Sequence, residues 1–156
     1  MNVLDQKILK SIESNGRQSF QELGSDIGLS KTACWARVQS LEKNGVILGY
    51  GAKLDPRSLG LGVFAIIQIM IDPSMRKAFE TAVQANPAIL ECHTIAGEAD
   101  YVMKVACRDV DDLDNLLRMH ISLLPGLQRS TTMICMNTIK AGGALTAAIE
   151  PRDTIR

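Results

Sequence analysis

The feature that most constrains the fold is the apolar run LGVFAIIQIMI at residues 61–71, near the middle of the chain. With the alternation of a β-strand, the run places apolar side chains on both faces: Leu61, Val63, Ala65, Ile67, Ile69 and Ile71 on one, and Phe64, Ile66 and Met70 on the other. A strand that is apolar on both faces needs a cover on each side, because water would otherwise contact one of them. The run therefore predicts a central strand in a sheet that is covered twice.

The segments that follow supply two helices and three more strands. Asp72 or Ser74 caps one predicted helix, and Pro73 falls in its first turn. Asp109 begins the other helix, where acidic side chains suit the positive end of the helix dipole. In chain order the predicted elements are a strand at 61–71, a helix at 72–87, strands at 88–96 and 99–107, a helix from 109 and a strand at 127–139. This order is that of the ferredoxin-like split βαβ fold.

One face of such a sheet is left without a cover. Both predicted helices lie on the same face, so the second apolar face of the strand at 61–71 needs another partner. The simplest partner is the same sheet of a second copy, related by a two-fold axis. We therefore expect at least a homodimer.

The first 45 residues carry the signals of three short helices. Residues 3–14 have an apolar face at helical spacing, and an NG pair ends that helix. Ser19 and Glu22 form a capping box at the start of a second helix, which runs to about Ile27. Gly28 then supplies a tight turn, and Ser30 caps a third helix that ends near Asn44. Two short helices joined by a glycine turn are typical of a helix-turn-helix.

The third helix has two different sides. On a helical wheel, Cys34, Val38 and Leu41 fall together and should face the first two helices. The remaining surface carries small, amide and cationic side chains: Lys31, Thr32, Trp35, Ala36, Arg37, Gln39 and Lys43. Small and amide side chains let a helix lie close to a DNA groove, and cations beside them reach phosphates. The pattern predicts a recognition helix, although such a face is also the ordinary solvated side of a helix and Trp35 more often packs under the turn or against the next strand.

The segment after the third helix predicts a wing and a hinge. Residues 46–56, VILGYGAKLDP, alternate around glycines and predict a small two-stranded wing beside the helices. Pro56 and the glycines of residues 57–62 predict a hinge before the sheet begins.

Charge and hydropathy narrow the class of protein. The chain has 17 Lys and Arg against 17 Asp and Glu, so its net charge argues against a general polyanion binder. The cationic excess lies in residues 1–57, which hold eight basic against six acidic residues, whereas residues 58–156 hold nine against eleven. The run at 61–71 is too short to span a bilayer, and the N-terminus lacks a signal-peptide pattern. We expect a cytoplasmic protein that does not enter a membrane.

The residues that commonly bind metals are scattered along the chain. Cys34, Cys92, Cys107 and Cys135 have no paired spacing, which predicts reduced thiols and neither a zinc site nor a redox pair. His93 and His120 lie on different predicted elements and have no third ligand at metal spacing. The sequence therefore predicts no metal site.

The chain contains four sequence motifs that rarely occur together by chance. They are LDQKILKSIESNGRQSFQELGSDIGLSKTACWARVQSLEKNGVILGY, the LGLG that follows it, ECHTIAGEADYVMKV and LLPGLQRSTTMICMNTIK. Over the chain to about Lys140, these stretches resemble the Lrp/AsnC family of leucine-responsive and asparagine-type transcription regulators. The resemblance implies an α+β protein with an N-terminal winged helix-turn-helix and a ferredoxin-like βαββαβ ligand-sensing domain. The implied domains are a DNA-binding domain at 1–50, a linker at 51–60, an effector-binding and oligomerisation domain at 61–140 and a C-terminal tail at 141–156, which we expect to be loose.

The resemblance also implies two sets of binding residues. The DNA-reading positions are Ser30, Lys31, Thr32, Trp35, Arg37 and Gln39, beside Lys43 from the helical wheel. The effector positions are Gly97, Glu98, Asp100, Ser130 and Thr132. The implied effector is an amino acid of unknown identity, bound between sheets of adjacent dimers that build into tetramers or octamers, and no other cofactor is implied.

The chemistry of an amino-acid ligand suits the loop at residues 97–100. A free amino acid needs an acceptor for its ammonium and donors for its carboxylate, and a glycine turn offers backbone groups of both kinds beside Asp100. The alternative for Asp100 is a turn residue that bonds its own backbone. Tyr101 fits the core of the sheet better than a ligand contact.

The function that these observations predict is a sequence-specific, DNA-binding transcriptional regulator. Its affinity for double-stranded DNA or its oligomeric state would respond to a small effector. A first alternative is an architectural DNA-binding protein without an effector. A dimeric ferredoxin-like enzyme is less well supported, because the sequence has no nucleophile with a base motif, no phosphate-binding glycine loop and no acidic cluster beyond the helix start at 109–114.

Overall fold

The structure is a computed structural model that describes residues 2–149. The chain forms two compact units. The first unit contains the three N-terminal helices together with the last described residues of the chain, and the second unit is Leu54–Ile139. None of the helices in the described part of the chain is long and apolar enough to cross a membrane.

The three N-terminal helices form where the sequence predicts them. Helix α1 is Val3–Ser14, α2 is Phe20–Ile27 and α3 is Lys31–Lys43. Ser19 and Glu22 form the predicted capping box of α2, and Gly28 ends α2 with a left-handed backbone at φ 74°. One cap was not predicted: the Asn2 side chain accepts from the backbone of Asp5 and so begins α1 with a second capping box. The core of this unit is Ile8, Leu23, Cys34, Val38 and Leu41.

The predicted two-stranded pairing after α3 is not observed. Residues 46–56 contain no β-strand, and the side chains of Leu48 and Leu54 are largely exposed. The start of the segment is instead hydrogen-bonded to the end of α3, because the backbone N–H groups of Val46 and Ile47 donate to the carbonyl of Leu41. The predicted hinge contains a 3₁₀ turn at Arg57–Leu59, which ends at Gly60 with φ 78°.

The second unit has the predicted βαββαβ order. Its elements are β1 (Val63–Ile71), α4 (Arg76–Ala85), β2 (Ile89–Thr94), β3 (Tyr101–Cys107), α5 (Val110–Leu116) and β4 (Leu127–Cys135). The strands form one antiparallel sheet in the order β2-β3-β1-β4, so β1 is central as predicted. Strand β4 ends four residues earlier than predicted, because β1 offers its last partner in the pair of Phe64 with Cys135.

One face of the sheet and the two helices α4 and α5 enclose the core. Phe79 and Val83 of α4 and Leu113 and Leu116 of α5 pack on the alternate residues of β1 and β3. A π-helical turn at Leu117–Ile121 follows α5 and adds one residue to the helical repeat. Val110, at the start of α5, is exposed, whereas Leu124, which follows the π turn, is buried.

The other face of the sheet is the second apolar surface expected from the sequence. Phe64, Ile66 and Met70 of β1 lie on it and are partly exposed in the single chain. Met133 of β4, which pairs with Ile66, is 45% exposed. We call this surface the open sheet face.

Candidate nucleic-acid interface and effector site

Helix α3 is anchored on one side and exposed on the other. Cys34, Val38 and Leu41 are buried as predicted, and burial raises the pKa of the Cys34 thiol. The Ser30 hydroxyl accepts a hydrogen bond of 3.2 Å from the backbone N–H of Ala33 and so begins the helix. Six candidate residues are exposed: Ser30, Lys31, Thr32, Trp35, Gln39 and Lys43. The core thus fixes which side of α3 faces outward.

Trp35 lies on this exposed side. Its side chain is 49% exposed, which agrees with its predicted place on the free surface of the helix and not with the alternative of packing under the turn or against the next strand. The buried positions of α3 follow Cys34, Val38 and Leu41, and position 35 is rotated about 100° from Cys34. The indole is therefore an apolar surface next to the short side chains of Thr32 and Ala36.

Arg37 has a partner within the protein that the sequence did not reveal. Its guanidinium donates to the Asp5 carboxylate at 2.9 Å, and the two side chains are 34% and 18% exposed. The ion pair joins α3 to the first turn of α1. Asp5 also accepts from the backbone N–H of Asn2, so its carboxylate serves both a cap and the ion pair.

Gln39 also has a partner on the same helix. Its side-chain amide donates to Glu42 at 2.7 Å, and the Tyr50 hydroxyl donates to the other oxygen of Glu42 at 2.8 Å. Glu42 therefore links the surface of α3 to the segment that follows it. The arrangement leaves Lys31, Thr32, Trp35 and Ala36 at the N-terminal half of the exposed face.

The turn between β2 and β3 contains three of the five predicted effector residues. Gly97 and Glu98 are exposed, and a methyl group added at Gly97 would meet nothing within 4 Å. Asp100 is half-buried, and its carboxylate accepts a hydrogen bond of 2.9 Å from the backbone N–H of Ile71. The backbone N–H of Asp100 donates to the carbonyl of Ile69. Asp100 thus joins the turn to β1, which differs from the expected alternative of a turn residue bonded to its own backbone.

Ser130 and Thr132 lie on β4, at the edge of the sheet. They pair with Ile69 and Ile67 of β1, so they lie on the same face as the helices. Ile69 also pairs with Tyr101 of β3, which places Ser130 at the same end of the sheet as the β2–β3 turn. Because β1 lies between them, two interstrand spacings of roughly 10 Å in all separate Ser130 from Tyr101. The structure therefore aligns the two groups but does not bring them into contact within one chain.

Tyr101 belongs to the core, as predicted. Its ring is 2% exposed and packs against Phe79, with 4.7 Å between the ring centroids. Its hydroxyl donates to Glu80 at 2.7 Å, and burial together with this bond raises the pKa of Tyr101 to about 12. The described residues contain no group of three His, Cys, Asp or Glu side chains that could hold a metal ion.

Comparisons with known proteins match both units of the chain. A winged helix-turn-helix DNA-binding family matches residues 1–47, and the Lrp/AsnC ligand binding domain family matches residues 64–145. The proline dehydrogenase transcriptional activator of Rhizobium radiobacter is 37% identical over 142 residues, which cover 89% of this chain and 91% of that protein. The leucine-responsive regulatory protein of Haemophilus influenzae is 36% identical over 143 residues, which cover 90% of this chain and 86% of that protein.

A solved structure shows the same arrangement of elements. A transcriptional regulator from Neisseria meningitidis, described as a complex with L-Met, superposes with a TM-score of 0.89 at 28% identity and covers 93% of this chain and 96% of that one. The matches to both units, the identity to the two relatives and this superposition lead to one conclusion: the chain belongs to the Lrp/AsnC family of DNA-binding transcriptional regulators.

Proposed function

We propose that α3 enters the major groove of double-stranded DNA and that the exposed residues Lys31, Thr32, Trp35 and Gln39 contact it, with Ser30 and Lys43 at its ends. The observation that carries this proposal is the exposure of Trp35, Thr32 and Ala36 on a helix whose opposite side is fixed by the core. Short side chains permit close approach to base edges, and the apolar indole suits contact with a thymine methyl group.

The test is a selection of DNA sites from a random library with the purified protein. We expect the selection to converge on a symmetric sequence, because a homodimer presents two copies of α3 to two half-sites. Titration of the selected and scrambled sequences by gel shift then gives the specificity. An unchanged library after repeated rounds would contradict a sequence-specific regulator and favour the architectural alternative.

Arg37 is proposed to contact a DNA phosphate rather than a base. Asp5 already orients the Arg37 guanidinium. The N–H groups of Arg37 that do not bond Asp5 still reach the surface, since the side chain is 34% exposed. We expect Arg37→Ala to weaken selected and scrambled DNA alike and to reduce the salt slope of binding by about one. Asp5→Asn is the control, because it loosens the ion pair but leaves the guanidinium in place. A loss confined to the selected DNA would instead assign Arg37 to a base, and equal affinity would remove it from the interface.

We propose an amino acid as the effector, bound by Gly97, Glu98 and Asp100 together with Ser130 and Thr132. Because one chain holds these groups roughly 10 Å apart, a ligand of this size is best enclosed when a neighbouring subunit supplies one of them. L-methionine is the first candidate, since the N. meningitidis regulator is described as its complex. Ligand that binds the native state raises the melting temperature by mass action, so a thermal-shift screen of the twenty amino acids identifies it.

The open sheet face is proposed to form a homodimer, which assembles further into tetramers or octamers. The partly exposed residues Phe64, Ile66, Met70 and Met133 give this face an apolar centre, and a symmetric copy of the same face would cover it. Sedimentation velocity at micromolar concentration is expected to show a dimer or a larger species. A monomer under those conditions would contradict this use of the face.

We further propose the domain limits of 1–50 for DNA binding, 51–60 for the linker, 61–140 for effector binding and assembly and 141–156 for the tail. The protein is proposed to act in the cytoplasm as a regulator and not as an enzyme. An architectural role differs from regulation in one respect, the response of DNA binding to a metabolite. A change in DNA affinity or in sedimentation when the effector is added therefore separates the two.

A further inference from the structure

The last described residues of the chain are attached to α1 through one carboxylate. Glu13 of α1 accepts a hydrogen bond of 2.6 Å from the backbone N–H of Leu145, one of 2.9 Å from that of Thr146 and one of 2.6 Å from the Thr146 hydroxyl. Thr146 is the second residue of a short helix, α6 (Leu145–Ala148). These residues are therefore bound to the first unit, and the expected loose tail is wrong for the described part of the tail.

Glu13 provides the capping acceptor that α6 lacks at its own N-terminus. The first N–H groups of a helix have no partner within it and are usually satisfied by a capping side chain. Ala144 occupies the cap position and has no side chain that accepts. The donated hydrogen bonds, first of all that of the Thr146 hydroxyl, hold the pKa of Glu13 below its ordinary value.

Hydrogen bonds rather than burial hold α6 in place. Leu145 is 78% exposed and Ile149 is 51% exposed. Both line an open cleft of about 600 Å³ in the first unit, which Leu9 and Ile12 of α1 also line. Because little apolar surface is removed from water, detachment of α6 costs little beyond the contacts of Glu13.

The attachment also changes how the two units are connected. The chain passes from the first unit to the second near Lys53 and returns near Lys140. The return segment, residues 136–144, directly follows β4, which carries Ser130 and Thr132. While α6 is attached, two chain segments hold the DNA-binding unit, whereas only one holds it after α6 detaches.

We propose that the contact between Glu13 and Thr146 is a reversible latch that attaches the end of β4 to the DNA-binding helices and that the closed latch favours DNA binding. The physical basis is entropy, since a unit held at two points has fewer orientations to lose when it binds. This inference rests on the proposed function for its effect on DNA, but the latch itself can be tested without DNA.

Two variants open the latch from opposite sides. Glu13→Ala removes the acceptor and Thr146→Val removes one donor at nearly constant volume. Thr81→Val is the matched control, because Thr81 is an exposed threonine of α4 in the other unit, where it donates to the carbonyl of Lys77. We expect amide hydrogen exchange at residues 145–149 to be about fivefold faster in both variants, in the range expected from local opening, and unchanged in the control.

Trypsin provides an independent readout, because Lys140 lies in the return segment. Opening of the latch is expected to accelerate cleavage after Lys140 in both variants. Exchange and cleavage rates equal to those of the unchanged protein would overturn the latch, as would equal acceleration by Thr81→Val.

DNA binding tests the second half of the proposal. If opening reduces the binding-competent fraction to a third, the apparent dissociation constant rises about threefold in both latch variants. Faster exchange with unchanged DNA affinity would overturn the coupling while leaving the attachment. Failure of the unchanged protein to bind any DNA would instead overturn the proposed function, and the exchange and trypsin results would still decide the latch.

Discussion

Replacement of Gly24 by alanine is expected to destabilise the first unit and to weaken DNA binding at least tenfold. Gly24 is buried in α2, and a Cβ atom built on it lies 2.6 Å from the carbonyl oxygen of Leu29. That oxygen belongs to the backbone just before Ser30, the cap of α3, so it cannot move without shifting α3. Helix propensity alone would make the same substitution stabilising by about 1 kcal/mol, whereas overpacking of this kind costs about 1–3 kcal/mol.

The measurements are thermal unfolding and gel shift. Trp35 is the chain's only tryptophan and lies on α3, so its fluorescence reports on the first unit. A displaced α3 loses base contacts that are worth about 1–3 kcal/mol each, which corresponds to tenfold or more in affinity. Ser25→Ala is the control, because Ser25 is the exposed neighbour of Gly24 on the same helix. An unchanged or raised melting temperature in Gly24→Ala would show that propensity outweighs the contact.

Local signals in the sequence were sufficient for the helices of the first unit. Ser19 with Glu22 and Ser30 are caps that act within three residues, and the structure contains both. The order of the second unit also followed from local periodicity, because the two-sided apolar run predicted β1 as the central strand. In these places hydrophobic pattern, capping and turn chemistry all favour the same structure, and such agreement allows a fold to be predicted from its sequence.

Contacts between distant residues could not be predicted in the same way. The ion pair of Arg37 with Asp5 spans 32 positions and the contact of Glu13 with Thr146 spans 133. No periodicity relates such pairs, since each depends on how complete helices pack. The sequence left two places open for Trp35, because the helical wheel puts it on the free surface whereas indole statistics favour burial; the phase of α3, set by Cys34 and Val38, decides for the surface.

The candidate effector site contains both kinds of feature, those that local sequence signals predict and those that depend on contacts between distant residues. The position of Gly97 and Glu98 in a turn followed from the sequence, and the alignment of Ser130 with that turn followed only from the register of three strands. The bond from the backbone N–H of Ile71 to Asp100 was not foreseen. It gives Asp100 a structural role whether or not the residue also binds a ligand.

Asp100→Asn and Asp100→Ala separate these two roles. Asparagine keeps an oxygen that can accept from the N–H of Ile71 but removes the negative charge, whereas alanine removes both. We expect the alanine variant to lose about 1–3 kcal/mol in the free energy of unfolding of the second unit, because a half-buried N–H is left without its partner. The asparagine variant should lose less. Chemical denaturation followed by circular dichroism measures both.

The two variants should differ in stability, but both should lose affinity for the effector. If the Asp100 carboxylate also holds the ammonium of an amino acid, a charge-assisted hydrogen bond of about 1.5–3 kcal/mol is lost in both variants, and the affinity falls about tenfold or more. Titration calorimetry with the amino acid that gives the largest thermal shift measures this, with Asp111→Asn as the control, because Asp111 is an exposed residue of α5. Unchanged affinity in Asp100→Asn, combined with destabilisation in Asp100→Ala, would assign Asp100 to the architecture of the sheet. Recognition of the ammonium would then fall to Glu98 and the backbone of the same turn, because these are the other acceptors that the turn exposes.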